Sequence, residues 1–172
     1  MAVEQGLAQK ASFQYSDAGR QLPFESNTVD SVICIDAVNH LPNRLQVLGE
    51  WHRVLKPGGR ILFTDPIVIT GILTSEEIAI RSSIGYFLFV PHGEDERLIK
   101  ETGFELIRSE DVTANEVKVS KRWYESRAKH RDDLIKIEGS TTYEGQQKFL
   151  STVYMLSSER RLSRFVFVAL KK

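Results

Sequence analysis

Two short apolar runs, separated by one amphipathic segment and a Pro-Gly-Gly turn, restrict this chain more than any other feature. Residues 29–35 are apolar apart from Asp30 and Ser31, a pattern that suits a strand buried on both faces. Pro42 fits the first position of a helix. Leu41, Leu45, Leu48, Trp51 or His52, and Leu55 then recur at helical spacing, so one face of that helix is apolar. Pro57-Gly58-Gly59 stops it, and residues 60–64 read as a second buried strand. Strand, helix, tight turn and strand make a βαβ unit, which requires a parallel sheet. The expected fold class is therefore α/β.

The rest of the chain extends that alternation. Residues 2–10 read as a short helix, and Phe13 and Tyr15 as a short strand running into the turn Asp17-Ala18-Gly19. A polar loop follows over 20–27. Thr74 and Glu77 have the spacing of a capping box at the start of a helix. Residues 94–102 read as a helix stopped by Gly103, and 104–109 as a strand. The charged stretch 115–138 is expected to be helical, with a second helix over 143–157 beyond Gly139. Residues 164–170 carry the strongest strand pattern. No repeat, low-complexity tract or linker divides the chain. It reads as one domain over 1–172, with a helical insertion at about 112–158 and enough length for a core.

Composition removes several classes of function. Twenty-three basic residues balance 23 acidic ones, so the long-range field of a dedicated nucleic-acid or membrane-surface protein is missing. No stretch approaches the ~20 apolar residues that cross a bilayer, and residues 1–11 lack the pattern of a secretory signal. One cysteine, Cys34, excludes an intramolecular disulfide framework and fits a reducing cytoplasm. His40, His52, His92 and His130 show no metal-ligand spacing, so no metal is expected. Lys118, Lys121, Arg122, Arg127, Lys129 and Arg131 are interleaved with Trp123 and Tyr124, but Glu116, Glu125, Asp132 and Asp133 are mixed among them. That stretch reads as a solvated helix face rather than a nucleic-acid patch. The basic cluster at 158–164 reads as surface as well. Gly58-Gly59 turns from helix to strand, the wrong polarity for a phosphate cradle.

Chemistry is expected beyond the carboxyl ends of the strands. Asp17, Asp36 and Asp65 fall at such ends. Asp36 and His40, four residues apart past a buried strand, would share a face if that turn is helical. A carboxylate beside an imidazole raises its protonated fraction or fixes its tautomer, which suits a general base. Cys34 lies inside a strand pattern and reads as a small packing residue.

Taken together, FQYSDAGRQLPFESNTVDSVICIDAVNHLPN and RVLKPGGRILFTDP resemble the later part of class I S-adenosylmethionine-dependent methyltransferases of the type 11-like group. The likeness is close over residues 1–66 and holds in outline to the last strand. It implies a Rossmann-like sheet, mostly parallel with an antiparallel last strand, and S-adenosylmethionine as cofactor. Asp17 matches the acid that accepts a hydrogen bond from the adenine amino group, and Ala18 the neighbour whose backbone N–H meets the ring. Cys34 and Ile35 match the strand end bordering the methionine part. The stretch IDAVNH is similar to that of small-amine N-methyltransferases, which makes His40 and Asp36 the catalytic candidates.

The implied function is methyl transfer to a small-molecule acceptor, an amine being the acceptor suggested, in a cytoplasmic protein without nucleic-acid or membrane partners. The alternative is a non-catalytic methyltransferase-like fold used in binding or assembly. The family's Gly-x-Gly-x-Gly loop and the two strands around it find no match in the sequence. The resemblance therefore covers the C-terminal two thirds of the family fold. It leaves the 29–35 strand with a free edge, where homo-oligomerisation, strand exchange or direct pairing with the Phe13 strand is expected.

Overall fold

The computed structural model describes residues 4–6 and 9–172. The βαβ unit forms as β1 (Val29–Cys34), α1 (Arg44–Val54) and β2 (Leu55–Ile69), with β1 and β2 parallel and Cys34 opposite Phe63. Asn43 caps α1, its side-chain oxygen accepting from the Gln46 N–H at 3.1 Å. Pro42 therefore precedes the cap and is not the first helical residue. Buried positions of α1 include Val47, Leu48, Trp51 and Val54, whereas Leu45 stays exposed. Pro57-Gly58-Gly59 lies inside β2 and not in a turn before it; Gly58 takes φ +81° where the pairing with β1 shifts register between Val29 and Ser31.

The chain continues through α2 (Ser75–Arg81), the two-residue β3 (Val90–Pro91), α3 (Glu94–Glu101) and β4 (Phe104–Asp111). It ends with α4 (Thr113–Lys129), α5 (Arg131–Glu138), α6 (Ser140–Ser158) and β5 (Leu162–Lys171). The sheet order is β1-β2-β5-β4. β5 inserts between β2 and β4 and is antiparallel to both. β3 pairs in parallel with Val68 and Ile69, along the part of β2 that extends past the end of β1. The capping box forms as expected: Glu77 N–H donates to Thr74 Oγ1 and Thr74 N–H to Glu77 Oε2. The charged stretch is two helices, breaking at His130.

One aromatic line runs through the core, from Trp51 to Phe63 (5.7 Å between ring centroids), to Phe167 (4.9 Å), to Phe165 (6.0 Å). It joins α1 to the two central strands, with Leu98, Ile99 and Phe104 in the same cluster. A smaller cluster, Ile67, Leu156 and Leu162, forms where α6 meets β2 and β5. Between the clusters lies a buried ion triad. Arg44 Nη1 is 2.5 Å from both Asp65 Oδ2 and Asp95 Oδ1, and Arg44 Nη2 donates to the Leu88 carbonyl at 3.2 Å. No described helix is long and apolar enough to cross a membrane.

Three expectations about the N-terminal part change. The helix expected over 2–10 lies partly outside the described residues, and residues 4–6 and 9–10 are turns. Residues 11–17 form no strand, and Phe13 and Tyr15 are exposed, so the direct pairing of that segment with β1 does not form. A strand needs a neighbour to satisfy its backbone. β1 is also not buried on both faces: Ile33 is 70% exposed and Ile35 53%. Val32 and Cys34 pack on the core, but nothing among the described residues pairs with the outer edge of β1.

The triad yields a stability prediction. Arg44→Met leaves Asp65 and Asp95 buried without their cation, and should cost about 3–5 kcal/mol at neutral pH. Burial already pushes the Asp95 carboxyl above the ordinary range, although Arg44 opposes this. The loss, read from urea unfolding, should shrink toward pH ~5 as Asp95 takes up a proton.

Candidate functional site

β1 ends one residue before the chain turns sharply. Asp36 sits in the left-handed region at φ +49°, a conformation rare for a residue with a side chain. Thr64 on β2 holds it there. Asp36 N–H donates to Thr64 Oγ1 at 2.8 Å, and Thr64 Oγ1 donates to Asp36 Oδ1 at 2.6 Å. The other carboxylate oxygen meets Arg164 Nη2 of β5 at 2.9 Å. Register slips between Asp65 and Val68, which accommodates Pro66 inside the strand.

The turn after Asp36 is a single 3-10 turn, Val38–His40. His40 Nδ1 is 2.7 Å from the Tyr86 carbonyl. A carbonyl only accepts, so Nδ1 carries a proton, and in the neutral imidazole the lone pair is then on Nε2. Nε2 has Asn39 Nδ2 at 3.4 Å, and the ring packs edge-on against Phe87 with centroids 4.6 Å apart. Asp36 and His40 are not hydrogen-bonded to each other. The expected effect of the carboxylate on the imidazole is replaced by the Tyr86 carbonyl, because a 3-10 turn does not stack residues four apart as an α-helix does.

Asp36 and His40 line one cavity of about 260 Å³. Asn39, Pro66, Phe87 and Trp123 contribute to it, as do Arg81, Glu116 and Arg164. Glu116 lies four residues before Ser120, and both are buried. Burial pushes the Glu116 carboxyl up to about 7, against the pull of Arg81 and Arg164 and with Asp36 and Asp65 adding to the rise. Its Oε2 has no hydrogen-bond partner among the described residues.

The remaining expected residues lie outside the lining. Asp17 and Ala18 stand on an exposed turn, where Asp17 Oδ1 accepts from Gly19 N–H at 2.9 Å and Oδ2 meets Arg20 Nε at 3.1 Å. A Cβ on Gly19 would be 3.5 Å from Pro42 Cδ, so this turn rests on the segment just after His40. Cys34 and Ile35 directly precede Asp36. Burial raises the Cys34 thiol, against backbone N–H groups of Ala37 and Val38. Asp65, the third strand-end acid, is 0% exposed, is engaged by Arg44 and does not line the cavity.

Two residues read as surface turn inward. Glu116 was counted among the charges of a solvated helix face, and Arg164 among a surface basic cluster. The available signal was Glu116 with Ser120, Val119 and Trp123, neighbours on one face of a helix at i+3, i+4 and i+7. For Arg164 it was position 164 itself, within the strongest strand. Arg81 gave none beyond its place near a helix end.

Residues 2–63 match the family described as a methyltransferase domain. A sarcosine/dimethylglycine N-methyltransferase from Aphanothece halophytica is 29% identical over 142 residues, which are 78% of this chain and 48% of that protein. Among solved structures, a Galdieria sulphuraria protein assigned to the sarcosine dimethylglycine methyltransferases superposes with a TM-score of 0.88 at 23% identity, over 99% of this chain and 62% of that one. Phosphoethanolamine N-methyltransferase 2 from Haemonchus contortus, solved with S-adenosyl-L-methionine, gives 0.82 at 22% identity, over 99% and 40%. The likeness in fold to these two structures thus extends over 99% of the chain. The chain spans about half or less of the length of the curated relatives it matches, 48% in the case of the Aphanothece halophytica protein.

Glu116 makes stability depend on pH. A folded carboxyl at about 7, against an ordinary 4.5, holds its proton more tightly than the unfolded chain does. The stability it contributes is complete below about 4.5 and is lost as pH rises through 7. Glu116→Gln should therefore flatten the decline and be the more stable form at pH ~8, by up to about 3 kcal/mol. Urea midpoints across that range check it, and parallel curves would remove Glu116 as the source.

Proposed function

We propose that this chain supplies the acceptor side of a methyltransferase site that moves a methyl group from S-adenosylmethionine to a small amine. The observation that carries the reading is the His40 imidazole, fixed at Nδ1 by the Tyr86 carbonyl, with Nε2 met by Asn39 Nδ2 at 3.4 Å, on a cavity it shares with Asp36. An amine attacks only as the neutral base. His40 Nε2 accepts the proton that must leave the nitrogen, and Asp36, held by Thr64 and Arg164, stabilises the positive charge that the nitrogen carries after attack. S-adenosylmethionine supplies an electrophilic methyl on a sulfonium whose sulfur leaves as a neutral thioether. The surrounding helices exclude water and align the acceptor.

The exposed turn carrying Asp17 and Ala18 is the part of the chain we assign to the cofactor's adenine end. Asp17 has carboxylate lone pairs to spare after its contacts with Gly19 and Arg20, and would accept from the amino group. Ala18 would offer its backbone N–H to the ring. Cys34 and Ile35 would border the methionine part. The sequence contains no Gly-x-Gly-x-Gly, and this favours keeping one second reading, a non-catalytic fold that binds without transferring.

Calorimetry with S-adenosylhomocysteine separates the two. Binding supports the transferase, and none at millimolar ligand favours the second reading. Where transfer of labelled methyl to an amine is measured, His40→Ala should lower kcat by about 10²-fold or more, the scale of general-base catalysis, while S-adenosylhomocysteine affinity holds. Equal turnover would remove His40 from the chemistry.

The exposed outer edge of β1 supports the homo-oligomer expected from the sequence, since unpaired edges recruit strands. Size-exclusion chromatography with light scattering should give a mass above that of one 19.6 kDa chain. A soluble monomer would overturn this.

A further inference from the structure

Val119, Trp123 and Arg127 recur every four residues on α4, and Gln146, Leu150 and Val153 every three or four on α6. Each set shares one helix face, and the two faces meet in a seam between the helices. At the Val119 and Val153 end, the seam walls the cavity of about 260 Å³ that holds His40 and Asp36. At the Arg127 and Gln146 end it opens into a second hollow of about 340 Å³, closed on one side by Ile84 from the loop after α2. Trp123, Phe149 and Leu150 line both spaces. Cavity and hollow are therefore successive stretches of one trough.

The two stretches differ in chemistry. The inner one is lined by the ionisable groups of Asp36, His40, Arg81, Glu116 and Arg164. The outer one is walled by Ile84, Trp123, Phe149 and Leu150, with Ser126 and Gln146 uncharged. Its one charge, Arg127, is already paired with Glu138 and lies 5.5 Å from the Tyr143 ring centroid. Nothing in the hollow calls for a polar ligand group. Trp123 stands on the seam face yet is 63% exposed, and Ile84 is 50% exposed. Apolar side chains scattered singly on a surface need no partner. These two line the same hollow, which leads to the candidate catalytic cavity, and covering them would remove apolar surface from water.

We infer that the hollow between α4 and α6 seats a hydrocarbon tail on the acceptor, so that the trough takes an amphiphile with its methyl-accepting head at His40 and Asp36. Burial of the tail, remote from the reacting atom, holds the head in the polar stretch. A hollow of this size at the mouth of a cavity suits one part of a ligand and not the face of a second chain. The identity of the head rests on the methyl-transfer reading above, whereas the tail seat does not need the cofactor.

Calorimetry on the full chain tests it with N,N-dimethylalkylamines carrying ethyl, butyl, hexyl and octyl chains, kept below the concentrations at which they aggregate. Tryptophan emission is read in parallel. Trp51 is buried in the core cluster, so a shift to shorter wavelength reports Trp123 leaving water, and Trp123→Phe should abolish it. Binding to one site should strengthen about 2–4-fold per added methylene and level off once the tail outruns the hollow. Ile84→Asp places a charge in the hollow without touching the inner cavity, and should flatten the series while leaving its shortest member unchanged. Affinity independent of chain length would overturn the tail seat, as would no binding of the octyl compound at millimolar ligand. A chain-length gain that survives in Ile84→Asp would also overturn it. Dissociation of a dimer by the longer chains, seen by light scattering, would assign the hollow to a second copy instead. The unmodified chain decides the matter even if the variants fail to fold. S-adenosylhomocysteine binding with a flat series sinks the tail seat alone. A rising series without S-adenosylhomocysteine binding sinks the transferase reading and leaves the seat.

Discussion

Arg44 holds the candidate site together from outside it. Its guanidinium is buried at the start of α1 and bridges Asp65 of β2 and Asp95 of α3. It also donates to the carbonyl of Leu88. The same Leu88 gives its backbone N–H to the Asn39 carbonyl at 2.8 Å, and two residues earlier the Tyr86 carbonyl takes the His40 proton. One buried cation thus fixes the loop that sets the tautomer of the cavity's only histidine. Burial lowers the Arg44 pKa and the two carboxylates raise it, with the carboxylates prevailing. Such a cluster is weak evidence for stability, because desolvation consumes much of the Coulomb gain. Its value here is geometric: an ion triad with one arrangement leaves the 86–88 loop little freedom.

The sheet explains why the cavity opens where it does. β1 stops at Cys34 opposite Phe63, whereas β2 runs on to Ile69 and is joined there by the two residues of β3. The gap between the end of β1 and the start of β3 is where the chain at 36–40 turns over the sheet. β5, antiparallel beside β2, brings Arg164 under the gap through the Asp65–Val68 irregularity. α4 and α6 close it from the far side, with Glu116, Val119 and Trp123 from one helix and Phe149, Leu150 and Val153 from the other. A cavity beyond the carboxyl end of a parallel strand is the expected place for a ligand in an open α/β sheet.

What could be read from the sequence follows from how local each signal was. The Thr74–Glu77 capping box, the Gly103 stop and the apolar 164–170 run depend on neighbours a few residues away, and all appear in the fold. Asp36 and His40 could be singled out because a buried strand ends just before them. The Phe13 segment failed because its strand character depends on a partner strand that no local pattern reveals. Glu116 and Arg164 were misread for a related reason. A charged residue in a charged helix looks solvated until tertiary packing lays another helix against it, and a basic residue at a strand end looks superficial until a carboxylate 128 positions earlier in sequence is brought to it. In both cases composition is a poor guide, since the charge is buried by chain folding and not by its neighbours in sequence.

Charge accounting within the cavity gives the last step. Asp36 and Arg164 neutralise each other and are fixed by it, so neither is free to respond to a ligand. His40 commits its Nδ1 proton to the Tyr86 carbonyl. That leaves Glu116 and Arg81, both buried, both short of partners and not paired with each other. A cavity meant only to be filled by protein would gain by replacing such a pair with apolar side chains of similar volume. Keeping a charged Arg81 in one enclosure with a carboxyl that does not pair with it is a stability cost. The site is therefore polarised before any ligand arrives, with a cationic end at Arg81 and acidic groups at Glu116 and Asp36. Preorganisation of that kind orients a small acceptor without the protein having to rearrange around it.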